Sequence, residues 1–140
     1  MKKLASLIIT ISVLAILWYL LSPLFFDKTV NEDAMGGTIF YEGNFTDADN
    51  FHKTSGKVLI IDNNLRLEDF ETTNGPDLKV YLATDKEATD FINLGMLKGN
   101  IGNQNYEIPE GTDLEKYNYV LIWCRAFSTL FGSAELNSKI

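Results

Sequence analysis

The 140-residue chain lacks most of the parts from which the commoner reaction centres are built. It has one cysteine, Cys124, so no internal disulfide forms and the fold must hold by packing. A dithiol–disulfide cycle within the chain is excluded for the same reason. One histidine, His52, and three methionines leave few soft metal ligands, and no Cys/His cluster has zinc spacing. No Walker loop, dinucleotide fingerprint or Gly-x-Ser-x-Gly elbow is present. No Cys-x-x-Cys-His attachment sequence occurs either, so any haem would be held non-covalently. Basic residues are outnumbered 12 to 19, for a net charge of −7. That balance excludes nucleic acid, because phosphate binding needs clustered Lys and Arg. It also argues against docking the soluble part on anionic lipid. There is no EF-hand spacing, no internal repeat and no low-complexity tract.

What the chain does have is one long apolar run. Lys2 and Lys3 precede an uncharged stretch from Leu4 to Phe26, nearly all apolar as far as Leu21. A helix rising ~1.5 Å per residue needs about 20 such residues to cross ~30 Å of hydrocarbon. Trp18 and Tyr19 lie near its far end, where amphipathic rings favour the headgroup layer. Ser22-Pro23 is expected to end or kink the helix. The length favours an uncleaved signal anchor over a cleaved signal peptide, whose core is usually ~7–15 residues. The Lys pair sets the N-terminus in the cytoplasm and the rest outside it. Residues 1–26 are therefore read as a transmembrane anchor and 27–37, polar with a Gly36-Gly37 pair, as a linker.

Residues 38–140 read as one mainly β domain, a small antiparallel sandwich or barrel. Short β-favouring runs alternate with Gly, Asn, Asp and Pro. The expected strands are Thr38–Tyr41, Gly56–Ile61, Leu65–Phe70, Lys79–Ala83, Tyr106–Ile108, Tyr119–Cys124 and Phe127–Ala134. Asp62-Asn63-Asn64 predicts a hairpin turn. Asp85–Phe91 has room for one helical turn. Lys98–Asn103 predicts a tight hairpin before Tyr106, since no helix follows to make it a phosphate loop. In Tyr119–Cys124, Val120, Ile122 and Cys124 share one face, and Tyr119, Leu121 and Trp123 the other. Apolar groups on both faces predict a central strand with Cys124 at its end.

Each polar candidate has two readings. Cys124 is either a small buried hydrophobe or a redox thiol whose pKa a cation such as Arg125 would lower. His52 is either a turn cap or a partner of Cys124, as base or axial ligand. Trp123 is either core or the wall of a cofactor pocket. Gly75-Pro76-Asp77 is most simply a turn.

Several segments in order carry a resemblance. They are Gly43-Asn44-Phe45, His52 with Ser55-Gly56, Gly75-Pro76-Asp77-Leu78 and Val80-Tyr81-Leu82. Leu94-Gly95, Leu97-Lys98-Gly99 and Gly102 to Tyr106 follow. Ile122-Trp123-Cys124, Phe127, Phe131-Gly132 and Ala134 close the series. Together the soluble part resembles the DM13 domain family, an extracytoplasmic module found behind membrane anchors and beside DOMON and cytochrome-like domains. The resemblance implies redox or electron-transfer work through Cys124, as a free thiol or as ligand to a prosthetic group such as haem, with His52 and Trp123 as its neighbours in the site. It implies a redox protein partner and an accessory module rather than a self-contained enzyme. The alternative is a non-catalytic binding module in which Cys124 is structural.

Overall fold

The computed structural model describes residues 1–22 and 25–140. Helix α1 spans Lys2–Leu21 and is capped at Ser22. The expected break at Pro23 lies outside the described residues. Twenty residues at ~1.5 Å each reach ~30 Å, and the helix is long and apolar enough to cross a membrane. The Thr10 and Ser12 hydroxyls donate to the Ser6 and Ile8 carbonyls one turn back, so neither is left for solvent to satisfy.

The rest is a sandwich of two antiparallel five-stranded sheets. The strands are β1 (Ile39–Asn44), β2 (Thr46–Asp47), β3 (Thr54–Ile61), β4 (Asn64–Thr72), β5 (Leu78–Ala83), β6 (Phe91–Met96), β7 (Ile101–Glu107), β8 (Tyr119–Cys124), β9 (Thr129–Glu135) and β10 (Asn137–Ser138). One sheet runs β10-β1-β3-β4-β7 and the other β2-β9-β8-β5-β6. The central placement of β8 agrees with its two apolar faces. Val120, Ile122 and Cys124 point into the inter-sheet core with Val58, Ile60, Leu65 and Leu67. Leu121 is buried on the opposite face, against Tyr81.

The β3–β4 hairpin turns at Asp62, which takes a φ of 50°, as the Asp-Asn-Asn run predicts. Asp85–Asp90 holds turns and bends but no helix. Three short strands went unpredicted: β2, β6 and β10. β6 gives no polar–apolar alternation in the sequence, because its exposed positions include the apolar Phe91 and Met96 as well as Asn93. The Lys98–Asn103 hairpin is absent. Leu97–Asn100 carries the chain from β6 in one sheet to β7 in the other. Buried Gln104 pins this crossover. Its Oε1 accepts from the backbone N–H groups of Lys98 (3.1 Å) and Gly99 (3.2 Å), and its Nε2 donates to the Gly99 carbonyl (2.8 Å).

The segment read as a linker is packed against the sandwich for much of its length. Thr29 bridges Ile101 in parallel, and the Val30 and Glu32 N–H groups donate to the Ile101 and Asn103 carbonyls. Edge strand β7 has unpaired backbone groups, and this strap satisfies part of them. The Glu32 carboxylate accepts from Lys98 Nζ (2.8 Å) and the Asn105 N–H (2.6 Å), which together hold its pKa below the ordinary 4.5. Buried Arg66 donates to the Asp33 carbonyl at 2.9 Å. Where the strap begins, the Asp27 carboxylate accepts from the side chains of Asn74 and Asn100.

Candidate functional site

The strap enters at one end of the sandwich, called here the strap end. Four loops meet there, 48–53, 73–77, 97–100 and 125–128. Most of the short motifs that stood out in the sequence come together in them. Strand register explains why. Leu78 opens β5, Thr129 opens β9, and both sit opposite Cys124, the last residue of β8. The Arg125 N–H donates to the Asp77 carbonyl at 2.9 Å and ties the 73–77 turn to the end of β8. Gly132 is a close-approach position: a Cβ there would run into the side chain of Thr54. Its bareness lets the Thr54 hydroxyl donate to the Phe131 carbonyl at 2.8 Å, joining the two sheets at this end.

Cys124 is fully buried and packs in the main apolar core. The exposed turn Arg125–Ser128 begins at the next residue. Arg125 is exposed at the start of that turn. Its charge is felt by Tyr81, whose side chain lies on the outer face of the sheet; there burial raises the phenol pKa and Arg125 partly offsets the rise. Trp123 is also on that outer face, packed with Tyr81 at a ring-centroid distance of 6.4 Å. Cys124 and Trp123 thus lie on opposite sides of one sheet.

His52 closes a tight polar turn. Its backbone N–H donates to Asp49 Oδ1 at 2.8 Å, and its ring Nδ1 is 2.7 Å from Asp49 Oδ2. These bonds, with one from the Phe51 N–H, hold the Asp49 carboxyl at about 2. The His52 ring lies against Phe131, 4.3 Å between centroids, and Phe131 belongs to the core that holds Cys124. Among the described residues, no hydrogen bond joins His52 to Cys124.

A cavity of about 410 Å³ opens at the strap end between Phe26, Gly75, Leu78, Met96 and Leu97. Leu78 is its link to Cys124, the residue opposite it in the ladder. Cys124, His52 and Trp123 do not line this cavity. The thiol is enclosed, the imidazole is engaged with Asp49, and the indole lies on the other side of the sheet. Among the described residues, no group of three His, Cys, Asp or Glu side chains is placed to hold a metal ion.

The family model described as electron transfer DM13 matches residues 44–136. The chain belongs to the DM13 family. No curated protein and no solved structure matches it. The matched DM13 region runs from the end of β1 to just past β9, so it contains the sandwich core and all four strap-end loops. The strap and α1 precede it. Sequence reading missed the buried polar residues Arg66, Asn100 and Gln104, which fix the strap and the crossover. Single polar residues in strands and loops carry no periodic signal; only their partners reveal them.

Proposed function

We propose that this chain is a membrane-anchored, extracytoplasmic DM13 module with a redox or electron-transfer role centred on Cys124. Membership of the electron-transfer DM13 family carries this reading. The length and apolarity of α1 support the anchor, and Lys2 and Lys3 before it favour a cytoplasmic N-terminus. With one thiol, the chemistry is intermolecular. The Cys124 thiolate attacks a disulfide of a partner protein. An S–S bond forms between the two proteins and the partner's second sulfur leaves as thiolate; a further thiol from outside the chain releases Cys124. Access requires the end of β8 to open, which is where a strand passes into an exposed turn and local opening costs least.

A second reading is favoured by one observation, the complete burial of Cys124 in apolar surroundings. In it the thiol is core and the domain is a binding module. Free cysteine is among the most buried residue types, so burial of this kind is common. The two readings separate on the full chain in lipid nanodiscs. Thiol reagent is titrated in native buffer and again in denaturant, with Cys124→Ser as blank, and the absorption spectrum is recorded. Native labelling faster than global unfolding, or a chromophore lost in Cys124→Ser, supports the redox reading. A colourless protein that reacts only at the rate of global unfolding supports the structural one.

A further inference from the structure

We propose that the strap end of the sandwich is itself a membrane-contact surface, seated on the lipid headgroups beside the anchor. The inference rests on the anchored reading of α1 and extends it. The first observation is distance along the chain. Only four residues lie between Ser22, the cap of α1, and Asp27, which is already hydrogen-bonded to Asn74 and Asn100 of the sandwich. The five steps from Ser22 to Asp27 reach at most about 18 Å even when fully extended. An anchored α1 therefore keeps the start of the strap within about 18 Å of the end of the helix.

The second observation is where the exposed apolar side chains lie. Among the described residues from Asp27 onward, and apart from the last residue, three large apolar side chains are more than half exposed. They are Phe51 at 84%, Phe127 at 71% and Met96 at 64%. All three belong to the strap end. Phe51 is in the 48–53 loop, Phe127 in the 125–128 turn, and Met96 ends β6 opposite Lys79 at the start of β5. Phe25 and Phe26, just before the strap, are exposed as well. Large apolar and aromatic side chains favour the membrane interface over water.

The third observation is charge. The loops at the opposite end, 62–63, 84–90 and 108–118, hold seven acidic residues and two basic ones. The strap-end loops 48–53, 73–77, 97–100 and 125–128 hold two acidic residues and three basic ones. The net charge of −7 is thus unevenly placed. Anionic headgroups repel the far end and leave the strap end down. Composition alone argues against lipid docking because it averages over this asymmetry.

The test uses tryptophan as a depth probe in the full chain, reconstituted in phosphatidylcholine–phosphatidylglycerol vesicles with brominated acyl chains. Trp18→Phe and Trp123→Phe remove the native indoles, and Trp123→Tyr replaces the latter change if it impairs folding. Phe51→Trp and Phe127→Trp then report the strap end, and Glu110→Trp reports the far end. All three sites are exposed, so the probes do not disturb the core. Bromine should quench the Phe51→Trp and Phe127→Trp probes about twofold more than the Glu110→Trp probe, as expected of indoles at the interface. Equal quenching of all three probes overturns the proposal. A Trp123→Phe chain that keeps Trp18 reports the helix. Quenching of Trp18 with no quenching at 51 and 127 leaves the anchor standing and refutes the docking alone, freeing the patch for a protein partner. An unquenched Trp18 refutes the anchor and the docking with it.

Discussion

Cys124 is fully buried, but its neighbours reach the surface. Leu78, its neighbour across the ladder, lines the strap-end cavity, and the exposed turn starts at Arg125. Leu78→Ala should cost about 2–4 kcal/mol, the usual loss for a large-to-small change in a core. It should also extend the cavity towards the thiol. Ile60→Ala, a fully buried site in the other sheet, removes comparable volume away from Cys124. Native thiol labelling should therefore be faster in Leu78→Ala than in Ile60→Ala at matched stability. Equal rates would mean that the thiol is reached only by global unfolding. Gly132 makes a sharper stability test. A methyl group there collides with Thr54, so Gly132→Ala should lose about 1–3 kcal/mol in chemical denaturation, the range for overpacking. Asp49 gives a pH test. Its folded pKa of about 2 lies below the ordinary 3.8, so its contribution is complete above pH 3.8 and is lost as pH falls through 2. A carboxyl titration by NMR with a midpoint near 3.8 would contradict the His52–Asp49 turn.

At the level of elements, the legibility of the sequence follows burial on one face. β3, β4, β5, β8 and β9 bury alternating or continuous apolar runs, and each was predicted to within a few residues. β2 and β10 are two residues long and are held by pairing alone, so they leave no pattern. The crossover at Leu97–Asn100 looks like a hairpin because Lys98-Gly99-Asn100 is good turn chemistry. Turn chemistry does not say which sheet the next strand joins; Gln104 decides that through its bonds to the loop backbone. The linker misled for a related reason. Polar, glycine-containing composition fits a tether, yet Glu32 and Arg66 lock it to β7 and β4. Glu32→Gln should loosen this strap. Both partners in the Glu32–Lys98 pair are partly exposed, so screening limits the loss to about 1 kcal/mol or less. Amide exchange should accelerate at Val30–Asp33 and Asn103–Asn105 and stay unchanged in β8. Because the carboxyl pKa is lowered, the wild-type strap should be fully docked above pH 4.5 and loosen as pH falls below it. Unchanged exchange in Glu32→Gln would show that backbone pairing alone holds the strap.

For the whole molecule, the fold puts the start of the strap, the cavity and the thiol at one end of the sandwich. The strap end carries the only cysteine, an apolar opening and a short link to α1, while most of the loop acidity lies at the other end. Membership of the DM13 family adds the expectation of electron transfer. The sequence already located Cys124 at a strand end with Trp123 on the opposite face, but not the cavity beside Leu78, nor the engagement of His52 with Asp49. Those depend on which loops meet in space. Among the described residues, His52 bonds to Asp49 and no hydrogen bond pairs it with Cys124.

The most direct test of this account is the oxidation state of Cys124 in the native membrane. Membranes from producing cells are quenched in acid, free thiols are blocked, reversible oxidation products are reduced and labelled, and the Cys124 peptide is quantified by mass spectrometry. The account predicts a measurable fraction of Cys124 in reversible mixed disulfide, rising under mild oxidant and falling with reductant while the fold stays intact. A Cys124 that stays fully reduced under both treatments, and that reacts only after unfolding, would contradict it and leave the cysteine a core residue.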